Sequence, residues 1–384
     1  PQGMFVLEGA IAKAAEVLGV AAWVLQKKNL LKTGDEFPYG MKVKKANARR
    51  CFVEAVKKYN FSQIRKEARA FNKQNKMTKR GVAIMPVCFG ISFTNTFLNQ
   101  AGSLVHVYTD GTVHVNAAAV EMGQGVNSKL IVVASQTLGV PAESVFVDST
   151  NTTRVANTSP TAASAGADLN GRATQMACEM ILNRLKTFVA QKNGCKPQDV
   201  AIRDGCVLCG DRDVQIKWKD LVWQAHVARI NLSAQALYAT PHIFFDKTKE
   251  KGTPFAYHVF GTAIFETTVD CLRGTYTVDA VHIVHDVGKS LAPLIDRGQV
   301  EGALLQGIGW MTMEELAFSN DGRLLSNTLS TYKVPDLFAA PQIVNVTFLE
   351  DATHPFAVMG SKGVGEPPLM YGIGAYFAIR NAMQ

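Results

Sequence analysis

Gly360-Ser361-Lys362-Gly363-Val364-Gly365-Glu366-Pro367-Pro368 sets one carboxylate among glycines with a proline pair directly behind it. Pro367 disfavours helical φ/ψ at the residue before it, so Glu366 is expected in extended conformation, and Pro368 stiffens the exit. A carboxylate held on such a loop is approachable by a substrate and suits a general base. A carboxylate capping a neighbouring helix is the structural alternative. Behind the loop lies an expected strand at 343–349, and ahead of it an expected closing helix from about residue 371.

Three more segments sit where a strand hands over to a helix. In Glu121-Met122-Gly123-Gln124-Gly125, glycines flank one neutral amide that both donates and accepts. Read alone, it also fits a tight turn. The run from Ala156 to Ala167 (Asn157, Thr158, Ser159, Pro160, Thr161, Ala162, Ala163, Ser164, Ala165 and Gly166 between them) offers hydroxyls and tiny side chains before a long amphipathic helix. Its backbone N–H groups and positive dipole end suit an anion, and the lack of bulk suits a flat, phosphate-bearing cofactor. Close helix packing is the alternative. In Asp296-Arg297-Gly298-Gln299-Val300-Glu301-Gly302, Asp296 is expected to cap a helix of about 299–310, with Gln299 either serving a ligand or simply satisfied.

Outward from these loops, residues 1–80 read as mostly helical, broken by a loop at 34–40. From Gly81 short β-rich runs begin: 82–87, 89–97 and 103–109, with Asp110-Gly111 as a tight hairpin turn. Helices are expected at 126–138 and 168–190, a strand at 144–148, and a strand pair at 257–270 and 276–286 split by Cys271-Leu272-Arg273-Gly274. Hairpins and helices come in blocks without strict βαβ alternation. The expected class is therefore α+β, with layered mixed sheets and helices. Three consecutive blocks are expected: a basic helical one at 1–85, then α+β blocks at 86–225 and 226–384.

With 384 residues, 47% of them hydrophobic, the chain can bury a sizeable core and is too apolar for intrinsic disorder. It holds no apolar run of roughly 18 residues, so no membrane span is expected. Its seven cysteines are odd in number and scattered, which argues against a disulfide framework. Cys206-Val207-Leu208-Cys209 lacks the second pair that zinc requires. No basic and apolar leader follows Pro1, so a cytoplasmic location and an internal piece of a longer or divided protein are the expectations. There is no Walker A, no Gly-x-Ser-x-Gly and no dinucleotide fingerprint after a strand.

The net charge of +8 is unevenly spread: residues 42–80 hold 14 lysines and arginines against Glu54 and Glu67, a net +12. Phe52, Val53, Val56, Phe61, Ile64, Ala68 and Phe71 recur there at helical spacing, leaving the basic residues on the other face. A solvated or subunit-facing surface explains this better than nucleic acid, for which no binding motif is present.

Together, Pro1-Gln2-Gly3, Phe89-Gly90-Ile91-Ser92-Phe93-Thr94, Phe97-Leu98-Asn99-Gln100-Ala101-Gly102, the Gln124 loop, the 157–164 run, Gly298–Gly302 and Gly365-Glu366-Pro367-Pro368-Leu369 resemble the molybdenum hydroxylase (xanthine dehydrogenase) family. The likeness is to its molybdopterin-binding domain and runs through nearly the whole chain. The resemblance implies a molybdenum held by the pterin, with no direct protein ligand. Glu366 matches the family's base, which deprotonates a hydroxide ligand, and Gln124 matches the glutamine that hydrogen-bonds the apical oxo group. Gly123, Thr161, Ala163, Ser164, Gln299 and Gly365 match cofactor contacts. Phe93 matches one of two aromatics that sandwich a purine, Phe89 is its supporting ring, and Ala162 and Ala163 lie against the substrate. The implied reaction oxidises xanthine or hypoxanthine to urate and passes electrons to [2Fe-2S] clusters and FAD in partner domains or subunits of a larger hetero-oligomer. The second aromatic and the purine-orienting Glu and Arg fall upstream of Pro1, as does half of the family's molybdopterin domain. The resemblance therefore leaves nicotinate- or aldehyde-type substrates open, along with the pterin's nucleotide form, a cytosine dinucleotide being one. Gly166 stands where some relatives carry Ser.

Overall fold

The computed structural model describes residues 1–210 and 212–384. In chain order its elements are α1 (Gln2–Leu18), α2 (Ala22–Lys28), α3 (Ala48–Lys58), α4 (Phe61–Gln74), β1 (Thr78–Ile91), β2 (Gln100–Val107), β3 (Val113–Ala117), α5 (Val126–Leu138), β4 (Val145–Val147), α6 (Gly166–Asn193), β5 (Val200–Arg203), β6 (Cys206–Cys209), β7 (Arg212–Lys217), α7 (Trp218–Val227), β8 (Ser233–Ala239), β9 (Phe244–Asp246), β10 (Lys251–Thr253), β11 (Tyr257–Asp270), β12 (Thr275–His285), α8 (Pro293–Thr312), β13 (Ile343–Phe348) and α9 (Ile373–Met383). This is the α+β class expected from the sequence. No helix among the described residues is long and apolar enough to cross a membrane.

Packing divides the chain into two units: Pro1–Gly90 with Tyr257–His354 and Lys362–Gln384, and Ile91–Ala256 with Pro355–Ser361. The consecutive blocks 1–85, 86–225 and 226–384 are a different partition. β1 hydrogen-bonds to β11 across some 170 positions of chain, a pairing that local patterning does not register.

The first unit is built on a sheet of order β1-β11-β12-β13, antiparallel between β11 and β12 and parallel between β12 and β13. Side chains alternate between its faces. Met85, Val87, Ala263, Phe265, Val281 and Ile283 pack on α8 and α9, while Ile84, Phe260, Ile264 and Val284 pack on α3 and α4. Both faces are covered, which is why β11 is buried almost without a break along its length. Each fully buried Phe or Ile here contributes roughly 1.5–3 kcal/mol. β1 is one 14-residue strand rather than two runs, and it ends at Ile91, so residues 92–97 are not strand as expected. Pro86 is accommodated because β1 is an edge strand, where a missing N–H breaks no ladder. On α3 and α4, Phe52, Phe61 and Ala68 are buried as expected, but Val53 is 47% exposed. Cys51 and Ala55 lie on the buried face with Phe52 instead, and the 3.6-residue period turns Val53 away from them.

The second unit has a sheet of order β4-β3-β2-β8. β2 and β3 form the expected hairpin: Asp110 accepts the Thr112 N–H at 2.9 Å and Gly111 takes φ 93°. Helices α5, α6 and α7 pack on the sheet through Val105, Val115, Leu138, Ile181, Leu185 and Leu221. A small sheet, β5-β6-β7, carries a bond between Cys195 and Cys209 that the scattered cysteines gave no reason to expect. Cys206 and Cys209, three apart on one strand, face opposite sides, which rules out their serving as a metal pair.

Candidate active site

In the first unit, the run from Lys362 to Pro368 is buried except at Gly365 and Glu366. Glu366 is not extended as the following proline suggested: it has φ −96° and ψ −36° and opens a tight turn, Pro367–Gly372. Helical geometry before proline is disfavoured. Here the turn repays it, through a bond from Leu369 N–H to the Glu366 carbonyl (3.2 Å) and the burial of Pro367, Pro368, Met370 and Tyr371. The outcome is a carboxylate standing out of an otherwise closed loop.

α8 starts at Pro293, earlier than expected, because proline is pre-set for a first helical turn. Asp296 therefore lies inside that turn rather than capping it, fully buried, and accepts the Ser290 hydroxyl at 2.5 Å. Gln299 is half-buried on this helix, and a Cβ added at Gly298 or Gly302 would meet nothing within 4 Å. An open groove of about 550 Å³ follows the helix from Gly302 to Trp310 and is bounded by Leu369, Val334 and Pro335. Phe89, half-buried on β1, packs with the residues of the α8-facing core.

In the second unit, the Gln124 loop folds on itself. Its amide oxygen accepts the Met122 N–H (2.5 Å) and its nitrogen donates to the Val120 carbonyl (2.7 Å). One amide proton and one acceptor lone pair remain for a ligand. Thr161 accepts the Val120 N–H at 2.9 Å, so the loop and the 156–165 turn are tied together. Gly123 has φ 96° with open space where a Cβ would be, and Ala163 and Ser164 both adopt left-handed geometry, φ 56° and 53°. Non-glycine residues in that region cost on the order of 1–3 kcal/mol each, and such strain gathers at ligand sites. Ala162 is exposed on the same turn.

Phe93 lies beyond β1, its backbone clamped by one side chain: Asn99 accepts the Phe93 N–H (2.8 Å) and donates to its carbonyl (2.9 Å). Asn99 was within a matching motif but had no role assigned. Glu121 was overlooked likewise. Burial raises its pKa, but N–H groups of Asn127, Gly125 and Gly123 outweigh this and hold the carboxyl below its ordinary value. An acid shortly before a helix start was the signal available. Thus Glu366, Gly365, Gln299 and Phe89 belong to the first unit, and Gly123, Gln124, Phe93, Thr161, Ala162, Ala163 and Ser164 to the second.

The family model of the molybdopterin cofactor-binding domain matches residues 54–341. The chain belongs to this family. The match takes in Gln124, Thr161, Ser164 and Gln299, while Glu366 lies past its end. Along its whole length this molybdopterin-binding chain is 42% identical to a xanthine dehydrogenase of Dictyostelium discoideum, of which it covers 27%. It thus spans about a quarter of the curated relatives it matches. Quinoline 2-oxidoreductase from Pseudomonas putida 86 superposes with a TM-score of 0.86 at 21% identity, over 99% of this chain and 49% of that one. The aldehyde oxidoreductase of Desulfovibrio desulfuricans gives 0.79 at 22%, over 98% and 38%. At these identities the superpositions establish the fold.

The donor set fits a molybdopterin. The neutral amide, hydroxyls and loop N–H groups of the second unit, and the amide and carboxylate of the first, are each of a kind that suits a cofactor whose pterin supplies the metal's ligands. Within the second unit the open side of Gly123, and within the first those of Gly298 and Gly302, each leave room for a flat ring to approach backbone. Among the described residues no three His, Cys, Asp or Glu side chains are grouped to hold a metal ion.

Proposed function

We propose that this chain is the molybdopterin-binding catalytic portion of a purine hydroxylase, converting xanthine or hypoxanthine to urate, with Glu366 as the base. The observation that carries it is the exposure of Glu366 from an otherwise buried glycine–proline loop. When bound, the cofactor supplies a two-electron couple at the substrate carbon. In the balanced reaction C–H becomes C–OH, water provides the oxygen, and two protons and two electrons leave. Glu366 takes the proton from the attacking water, which needs a fixed carboxylate within hydrogen-bond reach. Gly123, Gln124, Thr161, Ala163, Ser164, Gln299 and Gly365 would hold the cofactor. Phe93, supported by Phe89 and bordered by Ala162 and Ala163, offers a ring face for a flat heterocycle. The relatives' far greater length supports further domains or subunits; in this reading they bear [2Fe-2S] clusters and FAD, and the assembly is a cytoplasmic hetero-oligomer.

The test is turnover by the complete protein. Wild type is expected to oxidise xanthine in preference to nicotinate and benzaldehyde, with molybdenum near one per chain. Glu366→Ala is expected to abolish turnover with molybdenum retained. Retained activity, or loss of the metal, refutes the role given to Glu366; preference for an aldehyde refutes the substrate.

A further inference from the structure

The Glu366 loop is flanked by two buried polar anchors that the sequence reading left without a role. Four residues before Glu366, Lys362 is almost fully buried; its ammonium bonds Asp286 (2.6 Å) and the His258 carbonyl (3.3 Å). Its backbone N–H donates to the Val287 carbonyl (2.8 Å), and the next N–H, of Gly363, donates to the Tyr257 hydroxyl (2.8 Å). Asp286 is wholly buried, and the same oxygen, Oδ2, also accepts from the Asn47 amide (2.9 Å). Five residues after Glu366, the Tyr371 hydroxyl and His285 Nδ1 share a bond of 2.6 Å in the fully buried core. Glycines make the room: a Cβ at Gly261 would lie 1.6 Å from the Tyr371 oxygen, and one at Gly372 would lie 2.0 Å from the Gly307 backbone on α8.

We infer that Lys362 and Tyr371 are positioning residues, holding Glu366 from both sides against one stretch, His285-Asp286-Val287, at the end of β12. The inference rests on the reading of Glu366 as the base. A buried ion pair is a poor source of net stability, since an apolar pair of like volume often does as well. Its distinctive property is geometric. Lys362 grips adjacent residues with its side chain and its backbone, which fixes both place and rotation of the strand leading into Gly363-Val364-Gly365. β12 lies between β11 and β13 with helices on both faces, so it is a well-braced support. A glycine-rich loop without such anchors would let the carboxylate wander by an ångström or more, and misplacement of that size costs on the order of 100-fold in rate.

The test uses the complete protein with its cofactor. Tyr371→Phe removes one hydroxyl. Lys362→Met with Asp286→Asn removes both charges while keeping an acceptor for Asn47. Each is expected to lower kcat about 10- to 100-fold with KM within about twofold and molybdenum content unchanged. Unchanged kcat in Tyr371→Phe overturns the inference. So does a fall in KM and kcat together. If Glu366→Ala itself stays active, it is the reading of Glu366 that has failed. Should the Lys362 variant not fold, Tyr371→Phe decides alone.

Discussion

Replacing Lys362 alone by methionine leaves Asp286 as a carboxylate with no solvent exposure and no cation beside it. The ion pair is 2% and 0% exposed at its two side chains, so solvent screening gives no relief. Stripping one partner from such a pair costs about 3–5 kcal/mol. The remaining bonds to Asp286, from Asn47 and from Gly288 N–H at 3.3 Å, are neutral donors and do not replace the lost charge. At roughly 2–4 °C per kcal/mol for a unit of about 200 residues, the unfolding midpoint should fall by on the order of 10 °C. The partner variant, Lys362→Met with Asp286→Asn, removes the stranded charge and should recover at least half of that loss. Thermal unfolding followed by circular dichroism on wild type, single and double variants measures both. A single variant within about 2 °C of wild type, or a double variant no better than the single, refutes the reasoning that the cost is an unpaired buried charge.

Other outcomes follow from the same geometry. Burial first, then the Lys362 ammonium, pushes His258 down to about 4, His285 to about 3 and His354 to about 4, so these rings are neutral when folded. The unfolded chain protonates them near pH 6.5, hence stability should fall as pH drops from about 6.5 toward 4, by at most about 4 kcal/mol per pH unit; a flat urea midpoint over that window contradicts it. Gly298→Ala and Gly302→Ala should fold normally, having open space for the methyl, yet lower molybdenum per chain if that face of α8 meets the cofactor; unchanged metal content by elemental analysis removes that face from the site. Lys57→Glu with Lys58→Glu should weaken assembly with partner domains in a salt-dependent manner while leaving thermal unfolding unchanged, and assembly like wild type by sedimentation would dismiss the surface. Arg65 belongs to a different class: its guanidinium lies 5.2 Å over Trp23 and 5.6 Å over Phe61, so Arg65→Glu should lower the unfolding midpoint instead.

Local chemistry made much of the molecule legible. Asp110-Gly111 specified its hairpin because glycine takes the positive φ at no steric cost, and α5 and β12 followed the periodicity of their apolar residues. The glycine-flanked Gln124 and Glu366 stood out for the same reason: few backbones tolerate such runs without a purpose. Legibility ended where a residue's state depended on distant neighbours. Glu366 adopts helical geometry against its following proline because Pro367–Gly372 is packed into a core. Val53 keeps helical spacing yet points outward, since only the position of the sheet decides which face of α3 is buried.

By itself, then, the sequence determined the α+β class, most of the helices and strands, the four loops that carry the candidate chemistry and the family to which they belong. These depend on dihedral preferences and on apolar periodicity, which act over a few residues. Tertiary structure alone decided that Asn47, Asp286 and Lys362 share one buried network, and that His285 meets Tyr371 across 86 positions. It also decided that β1 joins β11 in a unit assembled from three stretches of chain. Such contacts follow from sheet register and close packing, and no local preference along the chain encodes which distant residues will arrive opposite one another.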